Sequence, residues 1–176
     1  LREVSFRAVG EGTLHKRDID QYDPHYFHLV LWDKDALEIV GAYRFADAAK
    51  LSQAQHKTGL YSATLFDYNE HMQPYFSQGL ELGRSFVQPQ YWGKRSLDYL
   101  WVGIGAFIRK YPKYRYLFGP VSLSDTYPDE AKQLIIAFYS LYFGAPLPCA
   151  QATIPYVRKK LTSTQFNGDD YKTEFT

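Results

Sequence analysis

The chain has 176 residues, 45% of them hydrophobic and 18% aromatic, with 16 Tyr and 12 Phe; it is long and apolar enough for one domain with a substantial core, which excludes a disordered chain. A formal net charge of +1 argues against nucleic-acid binding by bulk electrostatics. The single cysteine, Cys149, excludes an intramolecular disulfide framework and is compatible with a reducing, cytoplasmic setting.

Residues 2–9 read as the end of a helix broken by Gly10 and Gly12, followed by a polar loop through Asp23-Pro24. Tyr26 to Trp32 and Glu38 to Phe45 are expected to pair as a hairpin about the turn Asp33-Lys34-Asp35. Ala46 to Gln55 favours a short helix, and 56–78 reads as irregular or weakly helical. A strand over 79–88 and a helix over 92–110 follow, then an apolar strand from Tyr116 to Ser122 and a helix over 128–143. Beyond residue 145 the signals are weak, apart from a short helix near Val157 to Leu161. Strands alternating with helices predict an α/β sheet covered on both faces. No run of about 18 apolar residues is present, so no membrane-spanning helix is predicted. The chain opens at Leu1 and stops at Thr176 within a polar stretch, so a single domain over 1–176, cut from a longer reading frame, is expected.

The segment Gly79 to Leu100 carries the strongest chemical signal. Leu80, Leu82 and Phe86 mark a strand that Pro89 ends, and Leu97, Leu100, Trp101, Ile104 and Ile108 mark the apolar face of the following helix. Between them lies Gly93-Lys94-Arg95-Ser96, where helix N–H groups and positive charge suit an anion. Glu81 lies just upstream as a candidate base. In an unbroken strand Glu81 shares a face with Gly83 and Ser85, and Arg84 points the other way; a bulge near Gly83 changes that and frees a backbone N–H.

Other polar residues carry weaker readings. Asp18, Asp20 and Asp23 lack the Gly and terminal Glu of a calcium loop. His25 and His28 are spaced to face opposite sides, and Cys149 has no adjacent base. No metal site is expected.

The ordered set Glu81-Leu82-Gly83-Arg84-Ser85-Phe86-Val87, Pro89, Leu100-Trp101, Gly103-Ile104, Leu117-Phe118-Gly119 and Val121-Ser122 resembles the ornithine-lipid N-acyltransferases, members of the Gcn5-related N-acetyltransferase (GNAT) superfamily. Arg2 with Phe6, Asp20-Gln21-Tyr22-Asp23, His28-Leu29 and Val40-Gly41-Ala42-Tyr43-Arg44 extend the likeness over residues 2–125. The resemblance implies a GNAT-like mixed central sheet flanked by helices. It also implies transfer of a long fatty acyl group from a thioester to an amino-acid amine such as that of ornithine, toward amino-acid lipids. Glu81 and Arg84 match the catalytic motif, although Arg84 also reads as a structural ion pair. Arg44, Asp20 and Asp23 match recurrent positions assigned to the acceptor, with loop capping the alternative for the two aspartates. Gly93, Lys94, Arg95 and Ser96 stand where acetyl-coenzyme A users carry a glycine-rich turn. A single glycine there suits the one phosphate of a phosphopantetheine arm better than coenzyme A, and Lys94 and Arg95 equally suit an acidic carrier surface or a solvated helix start.

The expected co-substrate is therefore acyl-acyl carrier protein or acyl-coenzyme A, with no permanently bound cofactor. An acyl carrier protein is the expected partner, in the cytoplasm and in peripheral contact with the inner membrane surface. Two alternatives stand beside this: an acyl-homoserine lactone synthase-like enzyme, and a non-catalytic domain that binds acyl chains or their carrier.

Overall fold

A computed structural model describes residues 1–10, 15–53, 59–124 and 126–155. β1 (Phe27–Asp33) and β2 (Glu38–Asp47) form the expected antiparallel hairpin. Asp33 makes the turn, its carboxylate accepting from the N–H groups of Asp35 at 2.9 Å and Ala36 at 3.0 Å. β2 pairs antiparallel with β4 (Gly79–Val87), and β4 pairs in parallel with β5 (Tyr116–Phe118), so the sheet runs β1-β2-β4-β5. β3 (Phe66–Tyr68) and β6 (Ala150–Ala152) make a separate antiparallel pair.

Alternation along β2 and β4 divides the side chains between two faces. Phe45, Leu80 and Leu82 meet Ile104 and Tyr114 on the face covered by α4 (Ser96–Lys110), which packs on β1 and β2. Ala46 joins Tyr22, Tyr26, Leu60, Met72 and Phe76 on the opposite face. There α1 (Arg2–Ala8), α2 (Ala48–Leu51) and α3 (Gln73–Ser77) lie against β4. The expected mixed α/β sheet with helices on both faces is present. α5 (Asp129–Phe143) keeps Tyr139, Leu141 and Phe143 exposed.

Several boundaries differ from expectation. β2 continues to Asp47 because Ala46 and Asp47 still pair with Glu81 and Leu80, which reduces the helix expected over 46–55 to one turn capped by Asp47. α4 starts at Ser96 rather than near residue 92, because a tight turn over Pro89–Tyr91 and a positive φ of 72° at Gly93 precede it. β5 ends at Phe118 rather than Ser122. Its ladder with β4 ends at Glu81–Phe118, and Gly119 passes so close to β4 that a Cβ would stand 2.1 Å from the Leu82 carbonyl oxygen. β3, β6 and α3 occupy stretches read as irregular or featureless; β3 and β6 are joined only by a partner more than eighty residues distant, which local sequence does not reveal. The helix expected near Val157 to Leu161 lies outside the described residues.

Candidate active site

β4 and β5 are hydrogen-bonded in register only from Gly79–Tyr116 to Glu81–Phe118, and then diverge. The gap between them is a cleft of about 350 Å³, lined on one side by Gly83, Arg84 and Ser85 and on the other by Pro120, Val121 and Ser122. At this level β4 carries a bulge. Ala42 faces Phe86 and Arg44 faces Gly83, so Tyr43 alone stands opposite both Arg84 and Ser85. Arg84 adopts a left-handed φ of 51°, a conformation that costs a non-glycine residue on the order of 1–3 kcal/mol. The bulge turns the Arg84 side chain onto the face of Glu81, where its guanidinium lies over Phe6 at 5.5 Å and Tyr61 at 5.6 Å. It also leaves the extra residue out of the ladder at the edge of the cleft.

Glu81 lies beneath that cleft, 1% exposed. Its Oε1 accepts from the Ser62 N–H at 2.6 Å, and its Oε2 accepts from the Tyr61 N–H at 3.1 Å and from the Tyr26 hydroxyl. The Tyr61 N–H also reaches the Tyr26 hydroxyl oxygen at 2.9 Å. Burial, then the negative charge of Glu81, pushes the Tyr26 phenol well above its ordinary range, so Tyr26 stays protonated as a donor. With both oxygens engaged, Glu81 fixes the backbone at residues 61 and 62, and thereby Tyr61, which lines the cleft.

The three aspartates are matched by three arginines. Arg2 holds Asp18 at 2.9 Å and Asp23 at 2.8 Å; Arg44 holds Asp20 at 2.6 Å and Asp23 at 2.7 Å. Arg84 completes the set at 3.7 Å from Asp18 and 3.9 Å from Asp20. Burial alone pushes the Asp23 carboxyl up, but hydrogen bonds from Arg2, the Asp20 backbone and Arg44 hold it well below the usual carboxylate range. Arg44 is 2% exposed and sits among the rings of Tyr22, Tyr26 and Tyr61, 4.8 Å from the Tyr26 centroid. Arg44 and Asp23 therefore meet each other and do not line the cleft. The Arg84 Nε and the Asp20 Oδ2 face each other at 3.9 Å without hydrogen-bond partners among the described residues.

The turn ahead of α4 borders a second cavity of about 390 Å³, lined by Ser85, Phe86, Val87, Trp92, Gly93 and Lys94, with Ser96 also on its wall. The turn is braced by the Tyr91 hydroxyl, which donates toward Glu38 at 2.7 Å and Asp33 at 3.0 Å, and by the Trp92 indole N–H on the Val87 carbonyl at 2.8 Å. No side chain caps the first turn of α4, so its N–H groups remain available to an anion. Gly93, Lys94 and Ser96 come together here; Arg95 turns outward, 3.3 Å from Asp98 and over the Tyr99 ring. Ser85 lines both this cavity and the cleft.

Glu81, Arg84 and the turn were identifiable from their motif. Tyr26 and Tyr61 were not, because tyrosines scattered through an aromatic-rich chain give no local sign of which ones converge; Tyr43 fell within a matched stretch without a role assigned to it. The Gly119-Pro120 pair is a usable signal for the end of β5, since proline removes a ladder donor.

Residues 1–102 match the acetyltransferase (GNAT) domain family. The chain is 36% identical over 156 residues to the glycine N(alpha)-acyltransferase of Phocaeicola vulgatus, covering 82% of this chain and 48% of that protein. It is 33% identical over 156 residues to the glycine N(alpha)-acyltransferase of Bacteroides thetaiotaomicron, covering 82% and 46%. It is 32% identical over 134 residues to the L-ornithine N(alpha)-acyltransferase of Brucella abortus, covering 73% and 46%. The chain thus spans about half the length of these curated relatives. With more than half of its residues matched, the chain belongs to the acetyltransferase (GNAT) domain family.

Proposed function

We propose that the protein is an N-acyltransferase that moves a long acyl group from a thioester to the α-amine of an amino acid, glycine or ornithine. The observation that carries this reading is the meeting of two cavities at Ser85, beside the bulge. A donor arm anchored at Gly93, Lys94 and Ser96 would present its thioester where the amino acid enters from the cleft. A backbone N–H of the bulge, set out of the ladder, would suit the oxyanion that develops as the amine attacks. Arg84, which lines the cleft with a quarter of its side chain exposed, suits the acceptor's carboxylate, and Asp20 facing it suits the ammonium before deprotonation. Arg44, Asp23 and Arg2 hold those two groups in place. Glu81 acts here as a positioning residue for Tyr61. The names of the relatives support amino-acid acceptors, and glycine comes first because the two glycine enzymes match over more of the chain.

One glycine and one lysine at the donor turn favour the single phosphate of an acyl carrier protein's phosphopantetheine over coenzyme A. We place the reaction in amino-acid lipid synthesis, on the cytoplasmic side and near the membrane that receives the product. No helix among the described residues is long and apolar enough to cross a membrane.

The test is mass spectrometry of amides formed by the full-length protein from acyl carrier protein or acyl-coenzyme A donors with glycine or ornithine. An N-acyl amino acid, formed faster from the carrier protein, is the expected result. Donor binding without any amide would overturn catalysis and leave a carrier-binding domain; a lactone product would identify the homoserine-lactone type of chemistry.

A further inference from the structure

Aminolysis of a thioester must move a proton from nitrogen to sulfur, and the groups placed in the motif do not do this. Glu81 has both oxygens occupied by donors beneath the cleft, and the Arg84 guanidinium offers donors only, with no lone pair to take the amine's proton. Across the bulge, Tyr43 stands opposite Ser85. Tyr43 lines the acceptor cleft, and Ser85 lines both that cleft and the donor cavity. The Tyr43 ring is held edge-on to Trp101 of α4, with centroids 5.9 Å apart.

We infer that Ser85 and Tyr43 form a proton relay linking the attacking amine to the departing sulfur. This inference rests on the acyltransferase reading. The amine nitrogen bonds to the thioester carbonyl carbon and becomes cationic. It gives its proton to the Ser85 Oγ, the Ser85 proton passes to the Tyr43 hydroxyl oxygen, and the Tyr43 proton passes to sulfur as the carbon–sulfur bond breaks. An amide and a thiol leave, and both side chains regain their starting protonation. Among the other polar groups at these cavities, the Tyr91 hydroxyl serves Asp33 and Glu38, the Tyr61 ring carries the Arg84 guanidinium, and the Lys94 ammonium lies over the Tyr91 ring. Burial raises the Tyr43 phenol, which therefore holds its proton until the sulfur departs.

Single-turnover kinetics of the full-length protein with glycine would be measured on two donors bearing the same acyl chain, an N-acetylcysteamine thioester and a thiophenyl thioester. Thiophenolate leaves without protonation, whereas the alkyl thiolate needs a proton. Tyr43→Phe should slow the alkyl donor about 100-fold, the lower range for a lost general acid, and the aryl donor clearly less, because thiophenolate needs no proton and only the amine's proton must then find water. Ser85→Ala breaks the same chain and should show the same split between donors, with recovery in Ser85→Thr, whose hydroxyl is retained. Equal losses on both donors for Tyr43→Phe, or full activity in Ser85→Ala, overturn the relay while acyl transfer stands. The serine pair of variants decides the matter even if Tyr43→Phe fails to fold. A wild-type protein inert toward both donors and toward the acyl carrier protein donor overturns acyl transfer itself, and the relay with it.

Discussion

At the scale of single residues, Glu81 separates two accounts of this site. A carboxylate beside the amine would be its base, and Glu81→Gln would then reduce kcat without touching the fold. The carboxylate here is instead buried and accepts from Tyr26, Tyr61 and Ser62. Glutamine keeps the shape but supplies one acceptor oxygen and a donor amide, which must face at least one of those three donors. An unsatisfied buried group costs about 1–3 kcal/mol, which in a chain of 176 residues lowers Tm by about 2–4 °C for each kcal/mol. We expect Glu81→Gln to lower Tm by several degrees and to raise the KM for the amino acid as Tyr61 shifts. Thermal melts beside steady-state kinetics check this; a large loss of kcat at unchanged Tm and KM would return Glu81 to the role of base. The motif made Glu81 and Arg84 legible in the sequence, and the bulge that puts them on one face was legible as a conditional. What covers Glu81 was not, since its donors lie 19 to 55 residues away along the chain.

At the scale of elements, the cleft depends on where β5 stops. The alternation of apolar residues predicts the hairpin, β4 and α4 within a few residues, because each buries a stripe whose period is visible locally. It overextends β5 to Ser122, since Val121 continues the apolar pattern although its side chain is 88% exposed at the cleft mouth. It also misses β3 and β6, whose three-residue pairing is specified by tertiary contact alone. The transition from paired to splayed strands falls at Gly119, where a Cβ would meet the Leu82 carbonyl oxygen at 2.1 Å and the Leu82 carbonyl carbon at 3.1 Å. Both are backbone atoms, so relief requires the strands to part rather than a side chain to rotate. Gly119→Ala should cost about 1–3 kcal/mol, the range for inserting a methyl group into a filled space. It should also lower activity by widening the cleft at its root. Denaturant unfolding of the variant measures the first effect; a stability equal to wild type would mean that the strand pair is not fixed at this point. Gly103 offers a contrast, because its added Cβ would press at 2.8 Å only on the Leu29 side-chain end, which can turn aside.

At the scale of the whole molecule, the aspartates make the fold sensitive to acid in one direction. Asp23 is held down chiefly by Arg2, against the upward push of burial. Asp47 is held down by Lys113 and Tyr114, again against burial, and Asp33 by the N–H groups of its turn and by Tyr91. Each has a folded-state value below the ordinary 3.8, so as pH falls the unfolded chain takes up these protons first. Their stabilisation is complete above that value and is lost progressively as pH drops toward the depressed folded-state values. Stability should therefore be level from neutral pH to about pH 5 and decline steeply below about pH 4, the ordinary carboxylate range. Asp23 sits where α1, the loop before β1 and Arg44 of β2 meet, so its protonation loosens the clamp that holds Asp20 and Arg84. Asp23→Asn should consequently be less stable than wild type at pH 7 and show a shallower decline, with the two proteins converging in strong acid. Urea unfolding at pH 7, 5, 4 and 3 tests this. Parallel curves for the two proteins would mean that Asp23 binds no more protons in the unfolded chain than in the folded one, and that the arginine cluster does not hold its charge.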